Sequence, residues 1–202
     1  VDITRGNLEP LPIAVSPLYI EPGSKDIKID DEIIKNVGER IAEIVEVNFK
    51  RSGLFNPLKK DSFVQKPDIA HVKPRFEDWR LIKAQALVTG KVTISDDKLR
   101  AEFRLWDVVA AKEMIALAFS TTPGNWRRVA HIISDKIYQR LTGEEGYFDT
   151  RIIYVSETGE KTQRFKKLAI MDQDGANVKY LTLGNELVLT PRFSPKNQLV
   201  TY

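Results

Sequence analysis

Lys167–Thr182 reads KLAIMDQDGANVKYLT, two strands around a tight turn built on Asp172, Asp174 and Gly175. Upstream, Arg151-Ile152-Ile153-Tyr154-Val155 has the β-branched and aromatic content of a strand. Downstream, Pro191-Arg192-Phe193-Ser194-Pro195 leads into another, Leu199-Val200-Thr201-Tyr202. Tyr154 and Tyr202 fall at equivalent points of successive strands, 48 residues apart, close to the roughly 40–50 residues of a propeller blade. A blade is a four-stranded antiparallel sheet packed on its neighbours around a channel. Residues 147–202 therefore predict the first part of an incomplete β-propeller, and the chain reads as the N-terminal part of a longer protein.

Working towards the N-terminus, Gly143-Glu144-Glu145-Gly146 marks a boundary, and residues 1–145 predict a separate domain. Pro12–Ile20 is a short apolar run bounded by prolines, read as a buried strand. Ile33, Ile34, Val37, Ile41, Ile44, Val45 and Phe49 recur at helical spacing. Asp30 is placed to cap that helix, with Asp31 and Glu32 in its first turn and Gly53 beyond its end. From Gln85 the period becomes two: Ala86, Val88, Gly90, Val92 and Ile94 share a face, with Leu87 breaking the alternation. Leu99, Ala101, Phe103 and Leu105 share the next, and Glu113–Phe119 supplies a third strand. The meander is expected to bury one face. A second helix covers it, with Thr122 or Asn125 as cap, Trp126, Val129, Ala130, Ile133, Ile137 and Leu141 as stripe, and Gly143 as stop. The expected fold is an α/β (α+β) sandwich domain with a mixed sheet and two main helices, followed by the first blade of an incomplete β-propeller.

Of 202 residues, 31 are Lys or Arg and 28 Asp or Glu, for a net charge of only +3. Acids are interleaved with the basic residues, so the stripe of a nucleic-acid binder is missing and no nucleic-acid partner is expected. No apolar run reaches the roughly 18 residues a spanning helix needs, so no membrane insertion is expected. Cysteine is absent, which removes disulfides and thiolate catalysis and suits an oxidising compartment. The chain opens at Val1 with neither Met nor an apolar leader, as a mature secreted protein does once its signal peptide is removed.

Candidate chemistry is sparse. His131, Ser134 and Asp135 lie within about one turn of one helix, where side chains project in parallel and cannot form a relay. His71 and His131 are the only histidines and carry no zinc spacing. No GxSxG elbow, phosphate loop or dinucleotide turn occurs. Asp172-Gln173-Asp174-Gly175-Ala176-Asn177 has the acids of a calcium loop but lacks the distal Glu; it reads as a turn with Gly175 at positive φ. Trp79 and Trp126 read as core; Trp106, on the polar face of its strand, is open to an interface role. No catalytic, cofactor-binding or metal-binding residue, and no cofactor, is expected.

Three groups of motifs in the first domain, taken in order, resemble the TolB family of the Gram-negative Tol-Pal system. They are Ile13-Ala14-Val15 with Pro17; Phe76-x-x-Trp79-Arg80 with Ala86-Leu87-Val88-Thr89-Gly90; and Arg128-Val129-Ala130-His131-x-Ile133-Ser134-Asp135-x-Ile137-Tyr138 with Leu141-Thr142-Gly143. Arg151-Ile152-x-Tyr154-Val155, Ile170-Met171-Asp172-x-Asp174-Gly175-x-Asn177 and Pro191–Pro195 resemble that family's propeller repeats. The resemblance implies a periplasmic, non-catalytic adaptor whose N-terminal segment contacts TolA and whose six-bladed propeller takes the lipoprotein Pal. Such an adaptor maintains outer-membrane integrity and assists constriction at division. Most of the Pal surface would lie beyond Tyr202. By position and by its Ile-Thr-x-Gly type of start, Val1, Asp2, Ile3, Thr4, Arg5, Gly6, Asn7 and Leu8, ahead of Glu9-Pro10, correspond to the TolA-contacting segment. From the residues alone this is a polar–apolar alternation able to lend a strand to a partner's sheet edge, or a frayed terminus. Two other readings stay open: a propeller-associated hydrolase with its catalytic domain beyond Tyr202, and a nucleic-acid-binding α/β module.

Overall fold

The computed structural model describes residues 9–29, 32–160, 164–184, 188–195 and 199–202. It divides into two compact units, 1–146 and 147–202.

The first unit is built on a mixed sheet. β1 (Leu11–Val15) ends where Ser16-Pro17 interrupts the ladder, and the chain resumes as β2 (Tyr19–Ile20). Both run parallel to β6 (Ala86–Ile94): Ile13 pairs with Ala86 and Tyr19 with Lys91. Pro12–Ile20 is thus two strands on one neighbour, because Pro17 has no amide to donate. β5 (Phe55–Pro57) pairs parallel to the other side of β1. β6, β7 (Leu99–Asp107) and β8 (Lys112–Thr121) form the antiparallel meander, giving the order β5-β1-β6-β7-β8. The alternation fixes the register: Val88 lies opposite Leu105, Gly90 opposite Phe103 and Val92 opposite Ala101.

One face of that sheet is covered by α1 (Val37–Ser52) and α4 (Trp126–Thr142). Ile41, Val45 and Phe49 of α1 and Val129, Ile133 and Ile137 of α4 are buried. Full burial of each such side chain is worth about 1.5–3 kcal/mol. Both helices stop at a left-handed glycine, Gly53 at φ 72° and Gly143 at φ 82°, a conformation that costs glycine least. The start of α1 departs from expectation. Ile33 and Ile34 belong not to the helix but to β4 (Glu32–Ile34), antiparallel to β3 (Ile27–Ile29). Asn36, at φ 52°, is the residue that turns into the helix; Asp30 and Asp31 lie outside the described residues. β-Branched residues spaced this way satisfy either period, and here the hairpin wins. At Gly38 the helix passes so close to Leu18 that a Cβ would stand 2.0 Å from its carbonyl oxygen.

The opposite face was expected to be solvated, and this too is corrected. Two short helices, α2 (Pro67–Ala70) and α3 (Phe76–Leu81), cover its β1–β6 end. Trp79, Ala70, Ala84 and Val108 close over Ala14 and Leu87, with Phe63, Ile82 and Trp106 packed around them. Leu87 breaks the alternation because its strand is covered on both sides at that point. The Trp79 ring nitrogen donates to Gln65 Oε1 at 3.1 Å, and the Arg75 amide donates to the same oxygen at 2.9 Å.

In the second unit, β9 (Arg151–Thr158) pairs with β10 (Phe165–Asp172) along its whole length, and β10 with β11 (Lys179–Tyr180). β12 (Arg192–Phe193) and β13 (Val200–Thr201) pair separately. Leu168, Ala169 and Val188 are buried within a set of otherwise exposed or half-buried strands.

Candidate partner-binding site

Val1–Leu8, the expected binding segment, lies outside the described residues. The chain emerges at Glu9 and Pro10, both exposed, and enters the sheet where the Leu11 amide donates to the Leu54 carbonyl at 2.9 Å. At this end of the sheet a concavity of about 190 Å³ is lined by Leu11, Gln85, Ala86, Asp107, Val109, Met114 and Leu141. The Asp107 carboxylate accepts from the Ala110 amide at 2.8 Å, holding the β7–β8 turn, in which Ala111 stands at φ 50°. The Arg80 guanidinium donates to the Val108 and Val109 carbonyls at 3.0 and 3.2 Å. The root of the segment is thus a braced sheet end with apolar lining.

The residues with catalytic potential have other work. Asn48 of α1 donates to Ser134 Oγ at 2.9 Å, and its amide nitrogen lies 3.0 Å from His131 Nδ1. Ser134 in turn donates to the Ala130 carbonyl one turn earlier at 2.9 Å. All three side chains are buried, and the hydroxyl is pointed into its own helix, where it cannot attack a substrate. Asn48 was not singled out from sequence; its place on the apolar stripe between Val45 and Phe49 was the available signal. His71 stacks on Tyr19, ring centroids 4.6 Å apart.

The Asp172–Asn177 segment closes on itself. The Asp172 amide donates to the Ala176 carbonyl and the Gly175 amide to the Asp172 carbonyl, both at 2.9 Å; the Asn177 side chain donates to Asp172 Oδ2 at 2.6 Å. Gly175 stands at φ 88°. This is a β-turn in which the Asp174 carboxylate also accepts from the Ala176 amide, at 3.1 Å. Trp79 and Trp126 are core. Trp106 donates to Thr89 Oγ1 at 2.9 Å and meets the Phe76 ring edge-on, so it belongs to the packing beneath α3 and forms no exposed platform.

Two ionisable groups are displaced by local contacts. The Thr93 hydroxyl, 2.6 Å from Glu21, and the Lys91 ammonium hold the Glu21 carboxyl below its ordinary value. Glu46 on α1 is raised: burial is the main cause, Lys60 opposes it, and Glu43 and Glu39 reinforce it.

The TolB amino-terminal domain family matches residues 1–114, and the TolB β-propeller domain family matches 138–202. The chain is 70% identical over 207 aligned positions to the Tol-Pal system protein TolB of Pelagibacter ubique (strain HTCC1062), covering 100% of this chain and 45% of that relative. It therefore spans about half of the relative's length. The crystal structure of TolB from Acinetobacter baumannii superposes with a TM-score of 0.71 at 24% identity, over 91% of this chain and 41% of that one, which shows a shared fold. An α/β domain with a mixed sheet, a partial propeller and two family matches in the same order lead to one conclusion: the chain belongs to the TolB family.

Proposed function

We propose that this chain is part of a non-catalytic periplasmic adaptor of the Tol-Pal system, in which Val1–Leu8 docks on TolA and the propeller takes the lipoprotein Pal, maintaining outer-membrane integrity and assisting constriction at division. The observation that carries the reading is the identity of 70% to a Tol-Pal system protein along the whole of this chain. The burial of His131 and Ser134 in a helix–helix contact supports a binding role over a catalytic one. In the proposed contact the segment joins TolA's sheet as a strand: main-chain hydrogen bonds supply affinity, while Ile3 and Leu8 add side-chain contacts.

Calorimetric titration of TolA's periplasmic domain against this chain, with and without residues 1–8, tests it. Deletion should abolish binding while shifting the melting temperature by no more than about 1 °C, since a terminal segment contributes few buried contacts. Retained binding overturns the TolA contact. Lost binding with a fall of several degrees would make the segment an integral strand of the domain instead.

A further inference from the structure

β8 ends the sheet, and among the described residues it pairs only with β7. Its sequence is KEMIALAFST, so Met114–Thr121 presents eight consecutive residues without a charge or a proline. Edge strands of this length are ordinarily blunted by charge, proline or a cover, because their open amides and carbonyls invite another chain. Ala116, Ala118 and Leu117 (39% exposed) are left uncovered. At the other end of the sheet, β5 is only three residues long.

Each side of β8 carries a concavity. One, of about 420 Å³, runs over Gly90, Arg104, Ala116 and Ala118 beside His71. The other, also about 420 Å³, lies between Ile115 and the Lys136, Gln139 and Arg140 side of α4. Leu117 lines both, so they meet at the strand. Depressions on alternate sides of an open edge suit an extended chain, whose successive side chains point to opposite faces.

Their charges differ. In the first, Arg104 lies 3.3 Å from Glu113 and Lys91 3.8 Å from Glu102. In the second, the exposed Lys136 and Arg140 have no carboxylate partner among the described residues; the Arg140 guanidinium reaches only the Met114 carbonyl, at 3.4 Å. We propose that the β8 edge receives an extended segment of a partner protein as a further strand. Its acidic side chains face Lys136 and Arg140, and its small or apolar ones lie over Ala116 and Ala118. A second copy is disfavoured by the same charges. Antiparallel β8–β8 pairing would continue the sheet with both α4 helices on one face, setting one Lys136/Arg140 row against the other.

The test uses the whole chain and three blocked seven-residue peptides. The first alternates Val and Glu, the second has Lys in place of Glu, and the third is the acidic peptide with alternate amides N-methylated. The acidic peptide should bind at millimolar concentration or below and slow hydrogen exchange at β8 amides while leaving β6 unchanged. N-methylation should abolish both effects. The lysine peptide should bind at least about tenfold more weakly. The exposed double variant Lys136→Glu, Arg140→Glu should reverse that preference without altering the melting curve. Unchanged β8 exchange at millimolar acidic peptide overturns the proposal, and so does equal binding of the two charge types. Protection of β8 that grows with protein concentration alone assigns the edge to a second copy. Exchange at β8 that accelerates on deletion of residues 1–8 assigns it to the chain's own N-terminus. Either result displaces the partner strand.

Discussion

In residues 9–146, Trp79, Phe49, Phe103 and Ile133 are almost fully buried, and α1, α4, β6 and β7 each hide apolar side chains within the unit. In residues 147–202, β9 and β10 are as long as β6 within a residue or so, yet Phe165, Tyr180, Leu181 and Leu183 stand exposed, Leu183 by 86%. Both regions have well-formed hydrogen-bonded ladders. They differ in what their side chains bury. A layered α/β domain closes its core with its own helices, whereas a repeat sheet is one supersecondary unit that cannot bury its faces alone. Regular backbone pairing is thus no measure of a region's stability; two-sided burial is.

The most forceful way to break that contrast is by paired substitution. Trp79→Ala removes the centre of the second core and should cost about 3–5 kcal/mol. Leu183→Ser in the second unit should stay within about 0.5 kcal/mol of the parent. Urea unfolding followed by separate probes of the two units measures both, and similar costs would erase the distinction. Next in size is hydrogen exchange. In the whole chain at low concentration, amides of β6 and β7 should exchange roughly 100-fold more slowly than those of β9 and β10, which open locally. Equal protection would show that the second unit holds together without further burial.

The smallest effect lies inside the first unit. One Glu46 oxygen is buried without a hydrogen-bond partner among the described residues, and burial raises its carboxyl above the ordinary carboxylate value of 4.5. The native state therefore holds this proton more tightly than the unfolded chain. The associated stability is fully present below pH 4.5 and is lost as pH rises through the raised native value. Since the group is only partly buried, solvent screening keeps the effect small. Glu46→Gln should raise the melting temperature by about 1–2 °C at neutral pH and leave it unchanged in acid. A destabilised variant at neutral pH would mean that the charge is useful where it sits.

Much of this architecture was legible because it is local. Alternation from Ala86 to Leu105 gave the strands and their inward faces, and Gly53 and Gly143 gave both helix ends. What escaped was non-local or ambiguous. Ile33 and Ile34 fit a helical stripe and a hairpin equally, and only pairing with Ile27 and Lys28 decides between them. The second core shows in sequence as Trp79, read as core, and as two oddities, Leu87 and Trp106, which the covering helices explain. For the binding segment, the residues offered only a polar–apolar alternation ahead of Pro10, and the family resemblance supplied its role. The β8 edge was read as an ordinary meander strand because a strand's place at the end of a sheet is set by everything that pairs elsewhere.

The Asn48–His131–Ser134 contact also bears on alignment between the helices. Apolar stripes are tolerant of sliding: displaced by one turn, Val, Ile and Ala positions would still meet Val, Ile and Ala. The same slip would carry Ser134 about 5.4 Å from Asn48, stranding buried polar groups at about 1–3 kcal/mol each. The trio therefore acts as an indexing pin, excluding the neighbouring notches of the ratchet more than it strengthens the chosen one. Replacing all three with well-fitting aliphatic residues could leave the domain as stable as before, yet with α1 and α4 sampling more than one alignment.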